Sequence, residues 1–404
     1  EEVFGMDYLD EASKYPHTFT EFNLFSEVNI STMSQESVLE QVNKGILWHG
    51  NKLFKVKGYY NIEEQGILEK DLINKLKTRW VIKGILKNFK KTEERNIEVP
   101  EELKQIIPNN ILTDEVLNTL NGLQYTIKIF ANAIYGCVRS TVFEQIHTPN
   151  AGYDCCWIGQ QIHEYVENFF TKKGFKIVGG FTDSWFFEHR EEFDKAAMKK
   201  LCEECMNELK KYMPFPAKTH IIDYECYVDY ILYHYDDKKG EYKKNNYAFI
   251  SEGKIKIVGF PIMKNNASKL ALHIFNTFLK PEGLKNTRLK WEKVYVDKLI
   301  KQELTKDITL AAVTYKCSPA NTYKKSSQIQ AQISVAYLDF LDGEIDLIKN
   351  SKYGKAGKGK KYCTPEEAIE YNIKIEDLNL DKVYNELDPF LLKEKIASLD
   401  DWGI

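Results

Sequence analysis

Gly179-Gly180-Phe181-Thr182-Asp183-Ser184, set between the apolar runs Phe175-Lys176-Ile177-Val178 and Trp185-Phe186-Phe187, is the stretch whose reading decides the fold. Two short β-prone runs joined by glycines and a Thr-Asp-Ser turn describe a hairpin that lifts one carboxylate to its tip. A carboxylate there suits a metal ion, and a plain solvated turn uses the same residues. Other stretches, in a fixed order along the chain, separate the two readings.

Upstream, Phe4-Gly5-Met6-Asp7-Tyr8-Leu9-Asp10 reads as a strand ending on an acidic residue, and Glu11 to Thr18 as a turn that opens a short helix. A carboxylate at a strand end, followed by free backbone N–H groups, places a metal ligand beside an anion nest. The residues from Ile46 to Tyr60 read as a hairpin around Gly50-Asn51. A helix follows from about Glu69 to Lys91, with Leu72, Ile73, Leu76 and Trp80 facing one way and Arg79, Lys83 and Lys87 another. After a charged connection from Lys90 to Pro108, a return helix from Thr113 to Val138 puts Lys128, Asn132 and Tyr135 on one face at i, i+4 and i+7. Two such antiparallel helices, with Arg79, Lys83 and Lys128 on facing surfaces, are shaped to grip a polyphosphate; a solvated basic face is the plainer use of the same charges.

Helices are expected from Ala151 to Thr171 and from Glu191 to Tyr212, on either side of the hairpin that carries Asp183. Strands from Ile221 to Tyr233 and from Tyr242 to Ile250 are joined through Asp236 to Gly240, and Lys254 to Pro261 closes the sheet. The Tyr235-Asp236-Asp237 triplet is assigned to that hairpin turn rather than to a reverse-transcriptase-like signature. Helices with lysine-rich faces are expected from Ala267 to Ile308, short helices beyond, and a cationic Gly/Lys loop from Ser351 to Tyr362 whose Lys355 and Lys358 suit a DNA backbone or simply keep the loop soluble.

Composition constrains function only loosely. The 404 residues allow two or three domains, and the formal charge of −3 hides local basic stretches. With no apolar run of membrane length and no signal peptide at the start, the expectation is a soluble intracellular protein, cytoplasmic and working at DNA, with no membrane partner. The eight cysteines include Cys202-x-x-Cys205 on a helical pattern, without the further Cys or His that a zinc set needs, so they are expected as buried or free thiols.

Asp10-x-x-Ser13-x-Tyr15-Pro16, Lys128-x-x-x-Asn132-x-x-Tyr135-Gly136 and Thr182-Asp183-Ser184, in that order, resemble the three polymerase motifs of family B DNA polymerases. Arg79-x-x-x-Lys83 looks like the family's other fingers helix, Lys244-Asn245-Asn246-Tyr247 like its lysine–tyrosine motif, and Gly259-Phe260 with Lys264-Asn265-Asn266 like the start of its thumb. The resemblance implies an α+β right-hand fold with an antiparallel-sheet palm (1–61 and 139–255), helical-hairpin fingers (62–138) and a mostly helical thumb (256–404). It implies template-directed DNA synthesis from dNTPs on a primer–template, with two Mg²⁺ ions held by Asp10, Asp183 and the main-chain carbonyl of Glu11.

The resemblance further assigns dNTP binding to Ser13, Lys14, Tyr15, Arg79, Lys83, Lys128 and Asn132, with Tyr15 as the steric gate against a ribose 2′-hydroxyl. It assigns DNA contacts to Tyr135, Gly136, Thr182, Lys244 and Tyr247. Asp223 and Glu225 match acidic residues beside the family's catalytic centre, although strand carboxylates of purely structural use fit them equally. This chain departs from the pattern at Phe181, where the family usually has an Asp, at Ala133 for a frequent Ser, at Lys14 for a frequent Leu, and at Asn245 for the lysine nearest the tyrosine. No exonuclease carboxylate set precedes Asp10, so the expectation is the polymerase half of a split enzyme, or part of a longer one, with a separate amino-terminal or exonuclease subunit as partner. The intervals between the motifs leave little room for the insertions that protein-primed members of the family carry there, so the resemblance implies a nucleic-acid primer. The competing expectations are a non-catalytic scaffold that binds primer–template DNA, and a palm enzyme that copies RNA.

Overall fold

The computed structural model describes residues 2–88, 95–96, 99, 101–144, 147–148, 150–236, 239–264, 266–318, 322–323, 328–338, 343–351, 354 and 361–392. The chain forms two compact units, one of Asp7–Cys226 and one of Glu1–Met6 with Tyr227–Ile404. Strands β1 (Glu2–Glu11) and β8 (Ile222–Asp236) each have residues in both.

In the first unit β1 is followed by α1 (Lys14–Glu21), α2 (Gln35–Asn43) and a pair of two-residue strands, β2 (Leu47–Trp48) and β3 (Tyr60–Asn61). The hairpin expected around Gly50-Asn51 is thus an extended loop closed by a minimal ladder, because only Leu47↔Asn61 and Trp48↔Tyr60 pair. The loop is held from elsewhere. Buried Asp154 accepts the amides of Lys57 (2.9 and 3.0 Å) and Gly58 (2.8 Å) and the hydroxyl of Tyr60 (2.7 Å).

Helix α3 (Ile67–Asn88) and helix α4 (Asp114–Arg139) form the expected helical hairpin, linked by β4 (Arg95–Asn96) and β5 (Ile111–Leu112). Thr113 caps α4 by accepting from the Val116 amide. Near one end Leu72 and Leu76 pack with Ala131; near the other Ile82 and Ile85 pack with Val116, Leu117 and Leu120. Trp80 departs from its expected place: it is 58% exposed, because the buried stripe passes to Ile82 and Ile85 instead of continuing straight along the helix.

The core beneath is built by α5 (Ala151–Lys172), the hairpin β6 (Ile177–Phe181) and β7 (Ser184–Glu188), and α6 (Lys195–Lys210). Phe19, Phe22, Phe170, Phe175, Trp185 and Phe187 are its largest members. Strands β6 and β7 pair antiparallel with Phe181 opposite Ser184, so Thr182 and Asp183 are the two residues of the tip. In the sheet β1 lies between β8 and β7, with β6 outside β7. Cys202 and Cys205 are free, buried thiols on the core face of α6, as expected, and burial pushes both well above the ordinary thiol range.

In the second unit β8, β9 (Glu241–Ser251) and β10 (Lys254–Val258) form an antiparallel run. Asp236 pairs with Glu241 beside the hairpin turn, in keeping with the turn reading of that acidic stretch. Next come α7 (Lys269–Ile274), a π-helical turn over Phe275–Leu279, α8 (Lys280–Asn286) and α9 (Lys293–Lys306). Pro281, in the first turn of α8, has no N–H to give, which fits the loosened ladder just before it. The carboxy-terminal segment is less helical than expected. Strands β11 (Val313–Cys317), β12 (Gly343–Asn350) and β13 (Lys361–Cys363) make a separate antiparallel sheet, accompanied by α10 (Ile329–Tyr337), α11 (Pro365–Glu370) and α12 (Asp381–Leu387). These strands are short, and their alternation is interrupted by charged residues, which hid them in the sequence. Lys355 and Lys358 lie outside the described residues.

Removing the carboxylate at residue 154 strands two backbone donors and one hydroxyl in the core. Asp154→Ala should cost about 3 kcal/mol or more in urea unfolding, against about 1 kcal/mol for Tyr60→Phe, which removes a single donor.

Candidate active site

Strand β1 buries Tyr8 and Leu9 and brings Asp10 to its end, half-buried and accepting from the Tyr8 hydroxyl at 3.2 Å. Immediately beyond, the Glu11 amide donates to the carbonyl of Asp183 at 2.7 Å, and the Ala12 amide donates to Ile221 at 3.0 Å. The backbone that carries the first motif carboxylate is therefore bonded directly to the hairpin tip that carries the second. Asp183 is exposed to solvent. Desolvation by the surrounding chain, and then the Glu11 carboxylate, raise its carboxyl above the ordinary aspartate range, while Lys14 and Lys128 pull the other way.

Below this junction lies a set of buried charges that the motifs did not disclose. The Lys14 ammonium is 3.1 Å from Glu11 Oε2 and donates to the Thr182 carbonyl at 2.7 Å. His220 bridges Glu11 (Nε2 to Oε1, 2.9 Å) and Glu21 (Nδ1 to Oε2, 2.5 Å). Lys14, Glu11, His220 and Glu21 alternate in sign, and all four are buried. Burial alone would raise the Glu11 carboxyl, but Lys14 and then His220 outweigh it and bring it down to about 2. Burial likewise disfavours the His220 imidazolium, yet Glu21 and Glu11 lift it to about 9. His17 stacks on His220 with ring centroids 4.7 Å apart; burial and the neighbouring imidazolium hold it down to about 3, hence neutral.

Helix α1 begins with Ser13 in the left-handed region (φ 53°), and the Ser13 side chain does not cap its amides. The serine hydroxyl instead accepts from Arg79 Nη1 at 3.3 Å, so helix α3 reaches the start of α1. Tyr15 and Tyr135 stack face to face, 4.8 Å between centroids and 8° between planes. The Tyr135 hydroxyl lies 2.8 Å from Cys156 Sγ and accepts from Arg139 at 2.9 Å. Burial first, and then Cys156 and Tyr135, push the Tyr15 phenol up to about 12.

Lys83, Lys128, Asn132 and Gly136 are exposed along the helical hairpin, and a Cβ added at Gly136 meets nothing within 4 Å, so packing does not demand that glycine. The structure thus gathers Asp10, Glu11, Ser13, Lys14, Tyr15, Arg79, Tyr135, Thr182 and Asp183 through contacts in the first unit. Tyr247 lies in the second unit, buried in β9 opposite Val258 and Tyr233. Lys244 is in the same strand. Asp223 faces Lys199 at 3.9 Å, a contact that suits a strand carboxylate of structural use, and Glu225 is exposed. Among the described residues, no group of three or more His, Cys, Asp or Glu side chains is placed to hold a metal ion, and no helix is long and apolar enough to cross a membrane.

The residues that sequence reasoning missed are His220, Glu21 and His17, together with the side-chain roles of Glu11 and Lys14. No spacing signals His220, which meets Glu11 across 209 positions. The one available signal was Lys14 itself, one of the positions at which the chain departs from the pattern it resembles.

Element order, sheet and helical hairpin make a mixed α+β fold, and a likeness among solved structures makes it DNA polymerase-like. Among solved structures the chain is similar to the family B DNA polymerase from the hyperthermophilic archaeon Pyrobaculum calidifontis, with a TM-score of 0.54 and 13% sequence identity over 98% of this chain. It spans 46% of that structure's length. No family model matches the chain, and no curated protein matches it by sequence.

The buried charges give the site a pH signature. Glu11 is lowered from 4.5, so its contribution to stability is present above that value and fades as the pH falls towards 2. His220 is raised from 6.5, so its contribution is complete below that value and is lost as the pH rises through about 9. Urea midpoints of wild type and His220→Gln should therefore differ most between pH 4.5 and 6.5 and converge above pH 9.

Proposed function

We propose that this chain synthesises DNA on a template, joining dNTPs to a primer 3′-hydroxyl. The observation that carries the reading is the Glu11 amide to Asp183 carbonyl bond, which sets the Asp10 strand end against the Asp183 tip. In the reaction the 3′-oxygen attacks the α-phosphorus and pyrophosphate leaves. Two carboxylates and a main-chain carbonyl at residue 11 are hard oxygen donors of the kind Mg²⁺ takes. Two Mg²⁺ ions held by Asp10, Asp183 and the Glu11 carbonyl would activate the attacking oxygen and neutralise the triphosphate and leaving group.

The remaining roles fall to this chain's own groups. The uncapped amides at Ser13 and Lys14 hold phosphate oxygens, and Arg79, Lys83 and Lys128 neutralise and orient the rest of the triphosphate. Asn132 and the Tyr15–Tyr135 stack form a wall against the sugar and nascent base pair, with Tyr15 excluding a 2′-hydroxyl. Tyr135, Gly136, Thr182 and Lys244 contact primer–template DNA, with Lys355 and Lys358 on its backbone, whereas Tyr247, expected to join them, is buried in β9.

Primer extension on DNA and RNA templates, with and without Mg²⁺, tests this reading. Extension is expected on DNA with Mg²⁺. Asp10→Asn and Asp183→Asn should each lower it by about a thousandfold or more, while primer–template affinity stays within about threefold. A wild-type chain that binds the DNA and never extends it would instead be a scaffold. Tyr15→Ala should increase ribonucleotide incorporation relative to deoxyribonucleotide, scored as alkali-sensitive product.

A further inference from the structure

Asp183 sits on a two-residue tip, exposed to solvent, where a hairpin by itself offers little rigidity. The tip is nonetheless held at two consecutive carbonyls: Thr182 accepts from Lys14 Nζ at 2.7 Å, and Asp183 accepts from the Glu11 amide at 2.7 Å. Lys14 reaches it from inside the protein. Only 4% of this residue is exposed; its ammonium lies 3.1 Å from Glu11 Oε2 and 5.6 Å from the centre of the Trp185 ring. Its stem passes so close to α5 that a Cβ on Gly159 would come within 3.1 Å of Lys14 Cε. Glu11 is fixed in turn by His220 at 2.9 Å, which Glu21 anchors.

We propose that the Lys14 side chain is a positioning residue for Asp183, an internal tether that locks the hairpin tip to the end of β1. The physical basis is the cost of an unsatisfied buried cation. A buried ammonium that loses a partner is strongly unfavourable, whereas an intact set of partners repays its desolvation. Withdrawing the tip removes the Thr182 carbonyl from Lys14, so the ammonium makes departure of the tip costly. An apolar side chain at residue 14 could fill the same space without setting where the carbonyl goes. The tether adds to the role of the Lys14 main chain, and its bearing on catalysis rests on the nucleotidyl-transfer reading; the tether itself does not.

Amide hydrogen exchange on the metal-free, DNA-free chain reads the tether directly. Lys14→Met, of similar length and uncharged, is expected to speed exchange of the Glu11 amide and of residues 181–184 by about tenfold, leaving the middle of α5 and α6 unchanged. Primer extension by the same variant should show a lowered kcat with little change in KM for dNTP. Unchanged protection at Glu11 overturns the proposal, as does protection lost evenly through α5 and α6, which marks Lys14 as a general stabiliser. If Lys14→Met leaves Glu11 too poorly compensated to fold, Lys14→Met combined with Glu11→Gln removes both charges and is expected to show the same local loosening; unchanged protection there overturns the proposal as well. Local loosening in a chain whose wild type never extends a primer would overturn the polymerase reading and leave the tether standing.

Discussion

A single backbone hydrogen bond, from the Glu11 amide to the Asp183 carbonyl, is the constraint on which the candidate site depends. It ties the end of β1 to the tip of the β6–β7 hairpin, two places separated by some 170 positions of chain. Everything near it serves that junction. The sheet places β1 beside β7, aromatic residues fill the core of the same unit, and α1 begins three residues after β1 ends. A site assembled from a strand end and a hairpin tip inherits its precision from the pairing between them rather than from either element alone.

The buried charges under the junction work by the same logic. Lys14, Glu11, His220 and Glu21 form an alternating series, in which each inner member meets opposite charge on both sides. Such an arrangement contributes little net stability, because desolvation offsets much of the attraction. What it supplies is uniqueness of geometry: displacing any member strands a charge in the core. Neutral His17 stacks on His220, donates from Nδ1 to the carbonyls of Ala12 and Ser13, and accepts at Nε2 from the Thr219 hydroxyl, which extends the network to the start of α1.

Much of this architecture was legible in the sequence because it rests on local signals. Two short β-prone runs joined by glycines and a Thr-Asp-Ser turn marked the hairpin, and the helical pattern from Thr113 marked the start of α4. The spacing of Leu72 and Leu76 gave the early face of α3, but not the shift that leaves Trp80 exposed, since that depends on where α4 lies. The β11–β13 sheet was missed because its three strands pair across intervening segments and carry lysines and glutamates among their apolar residues. Within the candidate site, order and residue type drew attention to Asp10 and Asp183. They said nothing of His220 or of the Lys14 side chain, whose significance is a matter of burial and long-range partners.

The central claim is that Asp10 and Asp183 share one divalent-cation site. It is tested most directly by a crystal structure of the chain with primer–template, a non-hydrolysable dNTP analogue and Mn²⁺, read by anomalous scattering. Two manganese peaks are expected about 3.5–4 Å apart, both within coordinating distance of the Asp10 and Asp183 carboxylates. Peaks that lie elsewhere, or none at that junction with the nucleotide bound, would contradict it.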